Sequence, residues 1–208
     1  MTITEIKKTK NAMRYYLYVD DKFFGIFLDE ILAKCALKTG QEIEKEDLEE
    51  IKKENDGKLA FLMAISYLEK YNASKKEIVD YLKKKGLDKN AIDEAVVKLE
   101  NYGYIDDKVF AKNYFESLKN SKGKRVIVQK LKEKGISGEI ISLLVENIDD
   151  EAEEERALAL AKKFVKNREN NLKNKQKCLA HLVYKGYDYS VAQRVANKVF
   201  ENIDEEWS

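Results

Sequence analysis

Proline is absent from all 208 residues, and glycine occurs only nine times. So few turn formers argue against a loop-rich β-sandwich, a collagen-like repeat or a proline-rich linker. The two cysteines, Cys35 and Cys178, stand far apart in the chain. They make neither a disulfide framework nor a metal cluster, and a reduced, cytoplasmic setting is the expected compartment. No apolar run approaches the roughly 20 residues a membrane helix needs. The opening MTITEIKKTKN lacks the apolar stretch of a secretory signal, so no membrane association is expected. The single histidine, His181, has no evident base or nucleophile to work with, and no HExxH, Walker A or G-x-G-x-x-G pattern occurs. The chain therefore reads as a non-enzyme with no cofactor and no metal, and His181 as a helix-face or interfacial side chain.

What the chain does have is charge and helix formers. Lys plus Arg number 39 and Asp plus Glu 38, a net charge of +1, and 37% of residues are charged while 44% are hydrophobic. The apolar share suffices for a core, and the Lys/Glu richness without proline points to α-helix. The first forty residues differ. TITEIKK (2–8), RYYLYV (14–19) and KFFGIFL (22–28) are β-branched or aromatic runs, separated by Lys10-Asn11 and Asp20-Asp21. Tight polar breaks between β-prone runs predict a three-stranded antiparallel meander. Asp29 is expected to cap a short helix after it, and Gly40 to end the segment. Residues 44–57 are almost wholly charged and read as a helix or a linker.

From residue 58 the sequence repeats. YLKKKGL (81–87), LKEKGIS (131–137) and LVYKGYD (182–188) place Gly86, Gly135 and Gly186 49 and 51 residues apart. Before each glycine lie apolar residues at helical spacing: Ile78, Val79, Leu82; Ile127, Val128, Leu131; Cys178, Leu179, Leu182. Two residues after it stands an N-cap type, Asp88, Ser137 or Asp188. An i, i+3, i+4, i+7 stripe follows in the same register each time: Ile92, Ala95, Val96, Leu99; Ile141, Leu144, Val145, Ile148; Ala192, Val195, Ala196, Val199. Each glycine reads as the C′ residue of a helix. Another amphipathic run precedes each such helix, at 58–71, 107–119 and about 152–167. Ser74 and Glu77 form a capping box. Gly103 and Asp106 are expected to end one helix and start the next, with Tyr104 and Ile105 packed at the seam.

The expected fold is mostly α: three tandem three-helix repeats in an elongated, curved array, preceded by a small β meander with a short helix. The expected division is 1–43 for the β-rich extension and 44–57 for the charged helix or linker. Repeats follow at 58–105, 106–150 and 151–208. Charge is segregated locally. Residues 112–134 carry eight basic residues against Glu116 and Glu133, and residues 162–185 carry eight against Glu169, while 146–155 and 201–206 are acidic. Either this presents a basic stripe to phosphates or an acidic protein, or the acidic runs balance it in space. No aromatic platform is evident beside the basic residues, which disfavours a dedicated single-strand binder.

GYIDDKVFAKNYFESLKNSKGKRVIVQKLKEKGIS (103–137) resembles the RecX regulatory family. That family carries a Gly-Tyr-hydrophobic-Asp-Asp-x-x-Phe-Ala-x-x-Tyr run, then a basic Gly-containing stretch and Leu-x-x-Lys-Gly-Ile. SYLEKYNASKKEIVDYLKKKG (66–86) looks like the family's first repeat, and the third, ending LVYKGYD, lies in register. The resemblance covers about 58–200, and the N-terminal strands are similar to the extension of some longer members. It implies a monomeric modulator of the RecA recombinase, acting in DNA repair and the SOS response. Such a protein lies in the groove of the RecA–DNA filament and inhibits filament growth, ATP hydrolysis, strand exchange and co-protease activity. Weak direct DNA binding is a secondary implication; a helical-repeat DNA- or RNA-binding module is the alternative. Where the family usually carries an arginine, Leu118 follows YFES, and Lys70 or Tyr71 stands in the first repeat. Lys cannot reproduce the bidentate Arg fork. The expected partner contacts are Lys119, Lys122, Lys124, Arg125, Lys130, Arg168, Lys173, Lys175 and Lys177.

Overall fold

The structure is a computed structural model and describes residues 1–11 and 13–200. It divides into two compact units, the first Met1–Ile105 and the second from Asp106 onward. Strands β1 (Ile3–Lys8), β2 (Arg14–Val19) and β3 (Lys22–Leu28) form an antiparallel meander in that order. Asp20 and Asp21 both have positive φ, 48° and 61°, as a two-residue hairpin turn matching the strand twist requires. Leu17 and Val19 point into the core, while the Tyr16 and Tyr18 rings each pack edge-on to Phe23 across the other face.

Strand β3 runs directly into helix α1 (Asp29–Lys34), and Leu28, not Asp29, holds the N-cap position. Asp29 sits in the first turn, where its carboxylate still faces the helix's positive end. No side chain caps α1; the two N–H groups at its start are held from elsewhere, Leu28 N–H by buried Asn55 Oδ1 at 2.9 Å and Asp29 N–H by Met13 O at 3.0 Å. Nor does Gly40 end α1. Ala36 takes the left-handed position (φ 48°), and Leu37 N–H bonds back to Leu32 O. Gly40 instead turns the chain so that its N–H reaches Ile3 O at 2.8 Å.

Helix α2 (Lys45–Leu68) is continuous through the charged stretch and the apolar run that follows it. Its charged half buries one side, through Leu48 and Asn55, and packs on β3. Its apolar half packs against α3 (Lys75–Lys84) and α4 (Lys89–Asn101). Asn55 is wholly buried, and its Nδ2 donates to Ile26 O (2.8 Å) and Asp56 Oδ1 (3.0 Å). Asn55→Ala would orphan the Leu28 N–H and the Ile26 carbonyl; it is expected to cost about 2–3 kcal/mol, read as a lower urea midpoint.

The repeat signals fall where periodicity places them. The Ser74/Glu77 capping box is formed, Asp88 caps α4, and Gly86 has φ 81° just past α3. Gly103 (φ 70°) ends α4. Its two neighbours behave differently: Ile105 is buried in the first unit's core, whereas Tyr104 is 55% exposed, edge-on to Phe61 and Tyr102. Its hydroxyl-bearing ring remains at the surface rather than filling a seam.

The second unit holds α5 (Asp107–Leu118), α6 (Lys124–Glu133), α7 (Gly138–Glu146), α8 (Asp150–Val165), α9 (Leu172–Lys185) and α10 (Tyr189–Val199). Its two cores centre on Phe110, Phe115, Ile127, Leu131 and Ile141, and on Ala157, Ala161, Cys178, Leu182, Tyr187 and Val195. Asp106 and Ser137 cap α5 and α7. Asp188 starts α10 without a side-chain cap bond; its carboxylate lies 4.0 Å from Arg125 Nε instead. Gly135 follows α6 with φ 80°, while Gly186 (φ 101°) is the C-cap of α9 itself, because α9 runs one residue further.

Candidate functional site

Two glycines bring the halves of the second unit together. A Cβ on Gly123 would lie 2.4 Å from Gly186 C and Tyr187 N; one on Gly186 would lie 2.6 Å from Val126 Cγ2. With no Cβ on either, the N-terminus of α6 meets the C-terminus of α9. Gly123 N–H donates to Lys185 O (2.9 Å) and Arg125 N–H to Gly186 O (3.1 Å). Lys124 N–H donates to Glu153 Oε1 (3.0 Å), a carboxylate only 5% exposed. Helix starts leave N–H groups unpaired and helix ends leave carbonyls unpaired, so this head-to-tail joint satisfies both. Beside it Tyr187 is fully buried, its hydroxyl without a hydrogen-bond partner among the described residues, and burial pushes its pKa up to about 12.

The joint decides which basic residues gather. Lys173, Lys177, His181 and Lys185 recur every four residues along α9, one ridge of its surface. The Gly123–Lys185 bond sets Lys122 at the end of that ridge. Arg168, past the end of α8, lays its guanidinium 3.8 Å over the Phe164 ring and donates to Phe164 O (2.8 Å). Phe164 in turn stacks with His181, centroids 4.9 Å apart. Lys124 and Arg125 open α6, with Arg125 exposed. Lys119, Lys122 and Lys124 line one small pocket with Glu153 and Arg156. Lys119 pairs with Glu116 at 2.5 Å. Lys130 stands half-buried further along α6, and Lys175 is turned partly inward on α9.

Three participants escaped sequence reasoning: Phe164, His181 and Lys185. The four-residue spacing from Lys173 to Lys185 was the available signal; the aromatic stack was not readable, because Phe164 and His181 sit on different helices. The acidic run is not spent on this ridge. Glu153 caps α6, and Glu154 accepts from Arg194 (2.9 Å) and Lys198 (2.5 Å), which hold its carboxyl below the usual range. The acidic 201–206 lies outside the described residues. Lys122, Arg168, Lys173, Lys177 and Lys185 form no ion pair among the described residues.

Burial lowers the His181 pKa, and Lys185, Arg168 and Lys122 lower it further, so its imidazole is neutral at neutral pH. Burial likewise pushes the Cys178 thiol up, as suits the core position it fills. Among the described residues no helix is long and apolar enough to cross a membrane. The cationic ridge of the second unit is suited to holding an extended anionic partner.

Known proteins share this organisation. Residues 106–143 match the family model described as RecX, second three-helix domain, and residues 151–196 match RecX, third three-helix domain. The chain is 36% identical to the regulatory protein RecX of Listeria monocytogenes (serotype 4a, strain HCC23), over 98% of this chain and 78% of that protein. It is 35% identical to the regulatory protein RecX of Clostridioides difficile (strain 630), over 98% of this chain and 97% of that protein. A crystal structure of regulatory protein RecX matches with a TM-score of 0.66 at 25% identity, covering 97% of this chain and 98% of the other. Three-helix units recurring with capped starts and glycine ends, and a likeness that runs nearly from end to end, lead to one assignment: the chain belongs to the RecX family.

Proposed function

We propose that this chain is a non-enzymatic, cytoplasmic, monomeric regulator of the RecA recombinase. In this reading it lies in the groove of the RecA–DNA filament and inhibits filament growth, ATP hydrolysis, strand exchange and co-protease activity, so restraining DNA repair and the SOS response. The observation that supports it most is the unpaired cationic ridge of the second unit in a chain of the RecX family. Lys119, Lys122, Lys124, Arg125, Lys130, Arg168, Lys173, Lys175 and Lys177 are the proposed contacts, with Lys185 added. The working division is 1–43, 44–57 and three repeats at 58–105, 106–150 and 151–208. Many modest polar contacts spread along a polymer give potency through avidity, without a deep pocket.

Direct nucleic-acid binding is the second reading, favoured by Arg168 stacked on Phe164 beside the ridge. The two separate in one assay: single-strand-DNA-dependent ATP hydrolysis by the cognate RecA, with DNA in excess, while this chain is titrated. Inhibition at chain levels far below the DNA sites is expected. Inhibition only once the DNA is saturated would overturn the filament reading.

A further inference from the structure

We propose that Lys122, Arg168, His181 and Lys185 form a binding site for a backbone phosphate of single-stranded nucleic acid, with His181 as its protonatable donor. The inference rests on the reading that the basic face of the second unit meets a nucleoprotein, and names the group this corner would hold.

The residues converge from three elements. His181 and Lys185 are one helical turn apart on α9. Lys122 is brought to them by the bond from Gly123 N–H to Lys185 O. Arg168 arrives from the end of α8, stacked on the same Phe164 ring that stacks on His181. Every charged group facing the imidazole is a cation: Lys185 on its own helix, Arg168 after α8 and Lys122 in the turn before α6. Cys178, the other titratable group near Arg168, is a buried thiol and uncharged. Of the carboxylates near these residues in sequence, Glu169 accepts from Asn171 Nδ2, and Asp188 lies 4.0 Å from Arg125 Nε.

Gathering cations without a counter-ion is unfavourable in the empty protein and favourable once an anion sits among them. Other cations have a carboxylate partner: Lys34 with Glu54, Lys75 with Glu100, Arg194 with Glu154. The choice of a nucleic-acid phosphate over a protein carboxylate follows from Arg168. Its guanidinium already sits 3.8 Å over an aromatic ring on an exposed residue, where an unstacked base could add to it. The exposed Lys173 and Lys177 continue the ridge along which further phosphates would lie.

A phosphate at this point reverses the field on His181. The imidazole then takes up a proton on binding, and affinity rises as pH falls. His181 is the only histidine in the chain, so in tag-free protein its ring signals need no assignment. NMR titration of that ring, with and without a saturating oligothymidylate, is the test. The free midpoint is expected below about 6.5, moving up by about half a pH unit or more when the oligonucleotide is bound. At constant ionic strength, Kd is expected to tighten about twofold or more from about pH 7.5 to about pH 5.5. His181→Gln should bind with no such pH dependence, and Lys122→Gln should raise the free midpoint while weakening binding. An unmoved midpoint at saturation, or the same pH profile in folded His181→Gln, overturns the proposal. So does a glutamate-rich peptide that shifts the midpoint as far as the oligonucleotide, since the site would then read protein carboxylates. No recombinase is present in this test, so its failure is distinguishable from failure of filament inhibition.

Discussion

Gly123→Ala is expected to lower the stability of the second unit by at least about 3 kcal/mol. The new methyl carbon would meet Gly186 C and Tyr187 N at 2.4 Å. Both are backbone atoms, so no side-chain rotation relieves the overlap, and α6 must withdraw from α9. Withdrawal breaks the bonds from Gly123 N–H to Lys185 O and from Arg125 N–H to Gly186 O. It also strips the buried Glu153 carboxylate of the Lys124 N–H, leaving a charge in a poor environment, the costliest outcome of the three. Gly186→Ala should behave alike, since its Cβ would strike Val126 and its φ of 101° disfavours any side chain. Gly138→Ala is the control: a Cβ there meets nothing within 4 Å, at the first position of α7. Alanine there should be neutral or stabilise by up to about 1 kcal/mol. Urea unfolding followed by far-ultraviolet circular dichroism distinguishes the three variants.

Neutralising Lys122, Arg168, Lys173 and Lys177 to Gln together is expected to weaken RecA inhibition by about tenfold or more, with melting temperature lowered by no more than about 2–4 °C. Stability is spared because none of the four has an ion-pair partner among the described residues to be left behind. Arg168 gives up its stacking on Phe164, worth about 0.5–1 kcal/mol at an exposed site. Function is lost because the same absence of partners leaves these charges available to the filament. If the contacts are phosphates, the salt dependence of binding should flatten by about one unit of slope per charge removed. The paired cations Lys34 and Lys58, bound to Glu54 and Glu30 in the first unit, serve as the comparison. Their neutralisation should leave inhibition intact.

The sequence is most legible where the physics is local. Glycines at Gly86 and Gly135, caps at Ser74, Asp88 and Ser137, and the Ile92–Leu99 stripe all depend on a few neighbouring residues. The departures arise where a distant partner decides. At the start of α1 the Leu28 and Asp29 N–H groups are held by Asn55 and Met13, remote in sequence, and Leu28 takes the N-cap position in place of Asp29. Sheet and helices both pack on α2, so its charged half continues into its apolar half although their compositions differ sharply. Gly123 resembles any glycine in a basic turn; its need for a bare Cα comes from Gly186, 63 residues away. The basic residues were visible from composition, but their grouping was not. Lys119 carries the same charge as Lys122 yet pairs with Glu116, while Lys122 joins the ridge only because the joint holds it there.

The most direct measurement is retention of this chain by preformed RecA filaments on long single-stranded DNA, compared with the same DNA naked, at near-physiological salt. The ridge should make wild type saturate in proportion to RecA protomers, and the four-residue Gln variant should be retained about tenfold less. Saturation that follows nucleotides equally with and without RecA, or a variant retained as well as wild type, would contradict it.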